Sequence, residues 1–398
     1  MSLKIKLYNV LINILYHILL RKNSKNTYHY GDENQNNILI RLSSTLKSHF
    51  VIDVIIAISF LISGIFLSSY ISEWYDENYG KTLERLSGLL QSDKIQEFND
   101  LRNQINVKIE FDEIDLSGKD LRGANLKSLI LNNVNLSNAN LENANLENLK
   151  VSGDLSDTNM HNTYLFRADL SNADLSRANM TKANLTLTNL EKTLMVGSNL
   201  IDSDLHNADL TDAYIAGADL ERARLTGTDL SNADLRNTSL TGANLAAADL
   251  RGSILFDADL TGSIVVDTDL TGANLAAADL TGSILFRADL TRANLAAANL
   301  TYTYLTSADL TRANLDKADL TRAILFDTDL TDAYLIGTDL TRAILFDTDL
   351  TDAYLTYVIL EKTSFTCESI NNINLNDSIN LQKIRLFDSD MKEVSSCK

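Results

Sequence analysis

Every fifth residue from Leu155 to Leu360 is Leu, Met, Ile or Val, 42 positions without a gap. Two places ahead of these stands a small side chain: Ala168, Ala173, Ala178, Ala183, Thr188, Thr193, Ser198, Ser203, Ala208, and onward to Ala353. An earlier block repeats the pattern at Leu116, Leu121, Leu126, Leu131, Leu136, Leu141, Leu146 and Val151, then slips by one residue before Leu155. The slip predicts a kink or irregular corner beside Gly153. A period of five matches neither an α-helix nor a long flat strand, yet within each unit the residues alternate small-inward, polar-outward, large-inward, polar-outward. Each unit is therefore a very short strand followed by a turn. Units this short cannot bury their inward residues alone, so they must coil and stack into an all-β solenoid with coils about 4.8 Å apart. A longer repeat sets the coil length: TRAILFDTDLTDAYL at Thr321 to Leu335 recurs unchanged at Thr341 to Leu355, twenty residues on. Four units make one coil, and roughly fifty units give about twelve or thirteen coils, a rod on the order of 60 Å long.

The units read ADLTR, ANLAA, ADLTG and TDLTD, and this A(D/N)Lxx pattern resembles the pentapeptide-repeat family over about two-thirds of the chain. The resemblance implies a right-handed quadrilateral β-helix whose interior is filled by the central Leu and the preceding Ala. It also implies a second reading of function, because several relatives that protect bacterial type II topoisomerases are thought to mimic DNA in shape and charge. The repeats are expected over 114–391, irregular near 151–155 and after 360, where the pattern decays through Phe365, Ile370 and Leu375, slips to Leu381 and ends near Met391.

Charge and hydropathy separate the N-terminal part from the repeats. Residues 1–111 carry 12 Lys/Arg against 11 Asp/Glu, whereas residues 112–398 carry 23 against 42. An acidic rod argues against nucleic acid as a partner and favours basic ones. Val54 to Ile71 is 18 residues without a charge, and with Phe50, Val51 and Ile52 before it the stretch reaches the length needed to cross a bilayer core. We read 50–72 as a transmembrane helix in contact with the lipid bilayer. Residues 1–49 precede it with a shorter apolar run, Tyr8 to Leu20, that suits an interfacial amphipathic helix. Arg21, Lys22, Lys25, Arg41 and Lys47 lie before the span and Glu73, Asp76 and Glu77 after it, which places the N-terminus on the cytoplasmic side and the rod outside. A cytoplasmic rod is the alternative. Leu83, Leu86, Leu90, Phe98, Leu101 and Ile105 recur at helical spacing, so 81–109 is expected to form a juxtamembrane helix that caps the open end of the solenoid, with pairing to a partner helix as the alternative.

Laid out in twenties, the outward positions differ from face to face. One face stacks Asp209, Asp229, Asp249, Asp269, Asp289, Asp309, Asp329 and Asp349 in line, and the opposite face carries Asp219, Asp259, Asp279, Asp319 and Asp339. Such columns either cap turn amides or bind cations or a partner, and Arg287, Arg292, Arg312, Arg322 and Arg342 lie in adjoining turns where they could relieve the repulsion. A third face is apolar outward: Ile264 and Val266, Ile284 and Phe286, Ile324 and Phe326, Ile344 and Phe346, with Tyr304 and Thr306 between. A contiguous strip of this kind marks a contact surface for a protein partner or a second copy. The fourth face mixes Tyr334, Ile336 and Tyr354 with Asn274, Asn294 and Asn314.

Catalytic signatures are missing from the sequence: no GxSxG, phosphate loop, HExxH or metal-spaced Cys/His cluster is present, and His17, His29, His49, His161 and His206 are scattered. Cys367 and Cys397 form no ligand spacing. The expectation is a non-enzymatic, membrane-anchored interaction or scaffold protein without cofactor or metal, with a DNA-mimicking topoisomerase effector as the alternative.

Overall fold

A computed structural model describes residues 79–105, 108–367, 369, 384–388 and 391–395. The expected transmembrane segment Val54–Ile71 and the run Tyr8–Leu20 lie outside these residues. Among the described residues no helix is long and apolar enough to cross a membrane.

The repeats wind into a four-sided β-solenoid of about 13 turns. Parallel bridges join each outward residue to the one twenty places on, as in Asp209↔Asp229, Asp229↔Asp249 and Ile264↔Ile284, so the coil length inferred from the long repeat holds. Each unit contributes a regular set of backbone bonds. The amide of Leu165 donates to Asn184 O at 2.8 Å, and that of Asn184 donates back to Thr163 O at 2.9 Å. The central hydrophobics fill the interior, with Leu165, Leu205, Leu245, Leu285 and Leu325 fully buried beside Ala and Thr of the preceding positions. Threonines enter this core because their hydroxyls reach a carbonyl: Thr163 Oγ1 donates to Met160 O at 2.7 Å and Thr268 Oγ1 to Leu245 O at 2.8 Å.

Corners close with a β-turn, for example Ala168 N to Leu165 O at 2.9 Å. The second residue after the central hydrophobic takes a left-handed conformation. Asn172 (φ 61°), Arg177 (φ 58°) and Lys182 (φ 58°) all adopt it. Side chains other than Gly, Asn and Asp enter this region at a cost of about 1–2 kcal/mol. The amide there is held by the next coil, as with Arg167 N to Thr186 O at 3.1 Å, and the stack tolerates the strain.

The slip lies where the sequence placed it. Strand β1 (Glu110–Asp112) pairs with β2 (Ile130–Asn135), which pairs with β3 (Lys150–Asp154). Leu131 meets Val151, but Val134 meets Gly153, so the register shifts within this corner. One residue fewer leaves no room for a turn and β3 runs straight through. Gly153 (φ 125°) sits where an added Cβ would lie 2.2 Å from Val134 O, so no other residue fits without moving the neighbouring strand.

At the N-terminal end the single helix expected over 81–109 is instead two. Residues 79–91 are helical (α1), a turn at Ser92 and Asp93 follows, and α2 spans Ile95–Gln104. Asp93 is left-handed (φ 57°), which breaks the helix. Leu86, Leu90 and Phe98 are fully buried, and Leu83, Leu101 and Ile105 pack against the core. The pair covers the first coil and also replaces the hydrogen-bond partners a preceding coil would have supplied. Asp93 Oδ1 accepts from Asp120 N (3.1 Å), Asn99 Oδ1 accepts from Asn125 N (2.8 Å), Asn99 Nδ2 donates to Gly123 O (3.0 Å) and Arg102 Nη2 donates to Lys127 O (2.8 Å). An otherwise open strand edge is thereby satisfied by side chains.

The C-terminal end is irregular. Strands β4 (Ile344–Leu345), β5 (Ser364–Thr366), β6 (Arg385–Phe387) and β7 (Glu393–Val394) form one sheet in that order. Ser364 pairs with Arg385, one residue more than a full coil, and β7 turns back antiparallel to β6. Cys367 is disulfide-bonded.

Candidate interaction face

Stacking at one strand spacing brings the apolar residues of the third face together. Ile264, Ile284, Tyr304, Ile324 and Ile344 form an unbroken column of parallel bridges, with Val266, Phe286, Thr306, Phe326 and Phe346 two residues on, at the start of the turns that follow. Ile264, Ile284, Phe286, Tyr304 and Phe326 are exposed, between 36% and 48%. Val266, Ile324, Ile344 and Phe346 are half-buried. Phe346 is partly covered by a residue the repeat pattern did not single out. The ring of Phe387 on β6, whose backbone pairs with Thr366, meets it edge-on with centroids 5.0 Å apart. Arg385 lies over the Phe387 ring at 5.2 Å and pairs with Glu393 at 2.9 Å, so the strip ends under a fixed charged group. Phe387 falls after the second slip in the pattern, which is why periodic counting passed it by.

Farther down the same face the outward residues are polar but for Ala246: Asn184 and Thr186, Asp204 and His206, Arg224 and Thr226, and Asn244. They bond to one another, with Arg224 3.2 Å from Asp204 and His206 Nδ1 2.8 Å from Thr226 O. The fourth face holds apolar groups that the sequence reading left out: Leu194, Val196, Tyr214, Ile254 and Phe256 are exposed there. They are interrupted by an amide ladder, Asn294 Nδ2 to Asn274 Oδ1 at 3.0 Å and Asn314 Nδ2 to Asn294 Oδ1 at 3.2 Å, so this face carries no continuous strip. Above the ladder Tyr334 and Tyr354 stack at 4.7 Å.

The acidic column stacks in line as Asp209, Asp229, Asp249, Asp269, Asp289, Asp309, Asp329 and Asp349. Each carboxylate accepts the backbone amide two residues on, from Thr211 N to Asp209 (3.0 Å) through Thr291 N to Asp289 (2.9 Å) to Thr351 N to Asp349 (2.9 Å). One oxygen of every member is thus engaged in shaping its own turn. Among the described residues none of the arginines named from sequence forms an ion pair with this column. Arg287 pairs with Asp267 and Arg312 with Asp332 along the corners, while Arg322 bonds the hydroxyl of Tyr302 and covers its ring. The arginine on the column is Arg251, which pairs with Asp249 and lies 3.6 Å from Asp269. Its guanidinium holds the Asp249 carboxyl below the usual carboxylate range, as Arg236 does for Asp234.

Among the described residues no group of three or more His, Cys, Asp or Glu is arranged to hold a metal ion. A shallow polar notch where the helical cap meets the first coil is lined by Asp93, Gln96, Asp120, Arg122, Glu142 and Asn143. Arg122 is there doubly bonded to Asp120, so its charge is already compensated.

No curated protein matches the chain in sequence. Solved structures similar to it include HetL of the cyanobacterium Nostoc sp. strain PCC 7120, a pentapeptide repeat protein involved in heterocyst differentiation regulation. That protein is 32% identical over 55% of this chain and 88% of its own, with a TM-score of 0.23. QnrB1, a plasmid-mediated fluoroquinolone resistance protein, is 18% identical over 44% of this chain and 89% of its own, with a TM-score of 0.27. A pentapeptide repeat protein of the Arabidopsis thaliana thylakoid lumen is 30% identical over 29% of this chain and 68% of its own, with a TM-score of 0.12. The family model for pentapeptide repeats matches in 8 copies, in segments running from 109–148 to 323–361. That model covers more than half of the chain, and with the twenty-residue coil and the Leu-filled interior it shows that the chain belongs to the pentapeptide-repeat family.

Proposed function

We propose that this protein is a non-enzymatic binding rod, anchored in the bilayer through Val54–Ile71, and that the face around Ile284, Phe286, Tyr304, Ile324 and Phe326 docks a protein. The observation that carries the reading is the apolar strip itself. An aqueous solenoid gains its stability from the interior, so five consecutive coils of outward Ile, Phe, Val and Tyr are superfluous to folding and suited to contact. The acidic columns support a different use less well, because one oxygen of each carboxylate in the Asp209–Asp349 column is tied to its turn. The bilayer reading rests on the uncharged length of Val54–Ile71, and the rod's placement outside the cytoplasm on the basic residues before that segment. A disulfide at Cys367 fits an oxidising compartment.

The test replaces Phe286, Phe326 and Phe346 by Ser in the full-length chain. Loss of association, by light scattering and by pull-down, with an unchanged circular dichroism spectrum is the expected result; unchanged association would sink the reading. Protease digestion of the rod in intact cells decides the side of the membrane. Inhibition or protection of gyrase supercoiling by the purified chain would favour the DNA-mimicking alternative instead.

A further inference from the structure

The interaction reading leaves the occupant of the strip open, and the inference here rests on that reading. We propose that the occupant is a second copy of this chain, lying side by side in the same direction, with the two-fold axis running along the rods. The charges on the two rims of the strip point to this arrangement. One corner bounding the apolar face carries Arg322, Arg342 and Lys362 in successive coils, and the corner on its other side carries Asp327 and Asp347. All five are exposed.

Elsewhere along the corners, opposite charges neutralise each other from coil to coil: Arg177 with Asp157, Arg222 with Asp202, Arg287 with Asp267 and Arg312 with Asp332. Arg322, Arg342, Asp327 and Asp347 form no such ion pair among the described residues. Among the described residues the basic rim and the acidic rim on either side of the apolar strip thus carry no ion pair, Arg322 resting on Tyr302 and Asp327 accepting only from Ser307 Oγ at 3.0 Å, so their charges are open to a partner.

Symmetry then selects the orientation. Rotation by 180° about an axis parallel to the rod exchanges left and right but keeps height, so the basic rim of each copy faces the acidic rim of the other. Arg322 meets Asp327 of the second copy, and Arg342 meets its Asp347. Rotation about an axis across the rods reverses direction and sets basic rim against basic rim, which repels. Side-chain size agrees with the parallel solution. The outward residue before the central Leu faces the one after it in the same coil of the other copy: Ile284 against Phe286, Ile324 against Phe326, Ile344 against Phe346, and the tall Tyr304 against the short Thr306. An antiparallel pair centred on the same coil would set Tyr304 against Tyr304.

Five coils span about 24 Å at the inter-strand spacing. A strip of that height and one face in width falls short of the roughly 800 Å² per partner of a standard interface. The charged rims are thus needed to complete the contact, and a dissociation constant on the order of micromolar is expected for an interface of this size class.

The experiment measures the protein mass of the full-length chain in nonionic detergent by light scattering, over a hundredfold range of concentration. The wild-type chain should be a dimer at the upper end. The double variant Arg322→Asp, Arg342→Asp, whose rims are both acidic, should associate at least tenfold more weakly. Adding Asp327→Arg and Asp347→Arg to it restores opposite rims and should restore the dimer. Asp already occupies this left-handed corner position at 327 and Arg at 322, so each exchange keeps a residue type the corner accommodates. A photo-crosslinker placed at 326 in isotopically mixed chains should capture residues 324–326 of the other copy. Capture of residues 284–286 would establish the antiparallel pair and overturn the proposal, as would failure of the four-fold exchange to restore association. A monomeric wild-type chain whose pull-down partner still depends on Phe286, Phe326 and Phe346 would overturn the second copy while leaving the interaction reading intact. A monomer with no such dependence would end both.

Discussion

Two stretches of one face, residues 183–246 and 263–346, share a backbone and an interior and differ in what they show to solvent. Both bury Leu at the centre of each strand, with Leu205 and Leu245 in the first and Leu285 and Leu325 in the second. Outward, the first carries Asn184, Asp204, Arg224 and Asn244, and the second Ile264, Ile284, Tyr304, Ile324 and Ile344. The difference teaches that the fold places almost no demand on the outward positions. Hydrogen bonds between coils come from the backbone and the driving force from the inward residues, so the outer sequence is free to serve recognition.

Truncating the interior breaks the comparison most severely, and should do so evenly. Leu205→Ala and Leu285→Ala each remove a fully buried side chain from a tightly packed stack, and each should cost about 3 kcal/mol. Urea denaturation of the two variants should give similar losses; a much smaller loss at Leu285 would mean that the apolar outer face helps to hold the upper coils together. The next effect concerns association rather than stability. Asn244→Ile with Ala246→Phe would extend the strip by one coil into the polar stretch, and should tighten self-association by about tenfold at constant fold stability, since a buried aromatic is worth at least ~1.4 kcal/mol. An unchanged dissociation constant would show that the strip's lower boundary lies above that coil.

The interior was legible because its signal is redundant. Forty-two central positions and a verbatim repeat of fifteen residues leave one coil length, and the missing residue beside Gly153 marked the irregular corner. Three features were not legible. The left-handed corner position accepts Asn, Arg, Lys, Leu and Ala alike, so residue type hides a backbone state that the stacking enforces. The break at Asp93 divides a helix whose apolar spacing continues on both sides, and its cause is tertiary: the Asp93 carboxylate is drawn to Asp120 N of the first coil. Phe387 joins the apolar strip only after an extra residue in the last coil, where counting by fives fails. The arginine assignments failed for a related reason. Arg287 and Arg312 adjoin the acidic column in a flat layout, but the guanidinium reaches along the corner to the next coil, where Asp267 and Asp332 stand.

Acid should act on the charged stretches in a direction the carboxylates define. Arg177 beside Asp157, Arg222 beside Asp202, Arg236 beside Asp234 and Arg251 beside Asp249 each hold a carboxyl below its usual range. A carboxyl lowered in the folded state contributes stability that is fully present above its unfolded pKa and is lost as pH falls through the folded value. The chain should therefore lose stability below about pH 4, and Arg236→Gln should make that loss smaller. Thermal midpoints at pH 3 and pH 6, measured for both chains, check the sign. Equal acid losses in the two would show that the Asp234 pair carries none of it.

The smallest effect tests whether the two stretches share even the defects of their interior. Ser203 in the polar stretch and Ser263 in the apolar one are buried on the same face, and neither hydroxyl has a hydrogen-bond partner. Most other inward hydroxyls reach a carbonyl, as Ser283 does to Leu280 O at 2.7 Å. A buried hydroxyl without a partner costs more than the methyl group that replaces it, so Ser203→Ala and Ser263→Ala should each stabilise the rod, by up to about 1 kcal/mol. Ser283→Ala should destabilise it by a similar amount, because there a bond is lost. If Ser263→Ala destabilised while Ser203→Ala stabilised, the interior beneath the apolar strip would differ from that beneath the polar stretch, and the division between an indifferent core and a specialised surface would have to be redrawn at that coil.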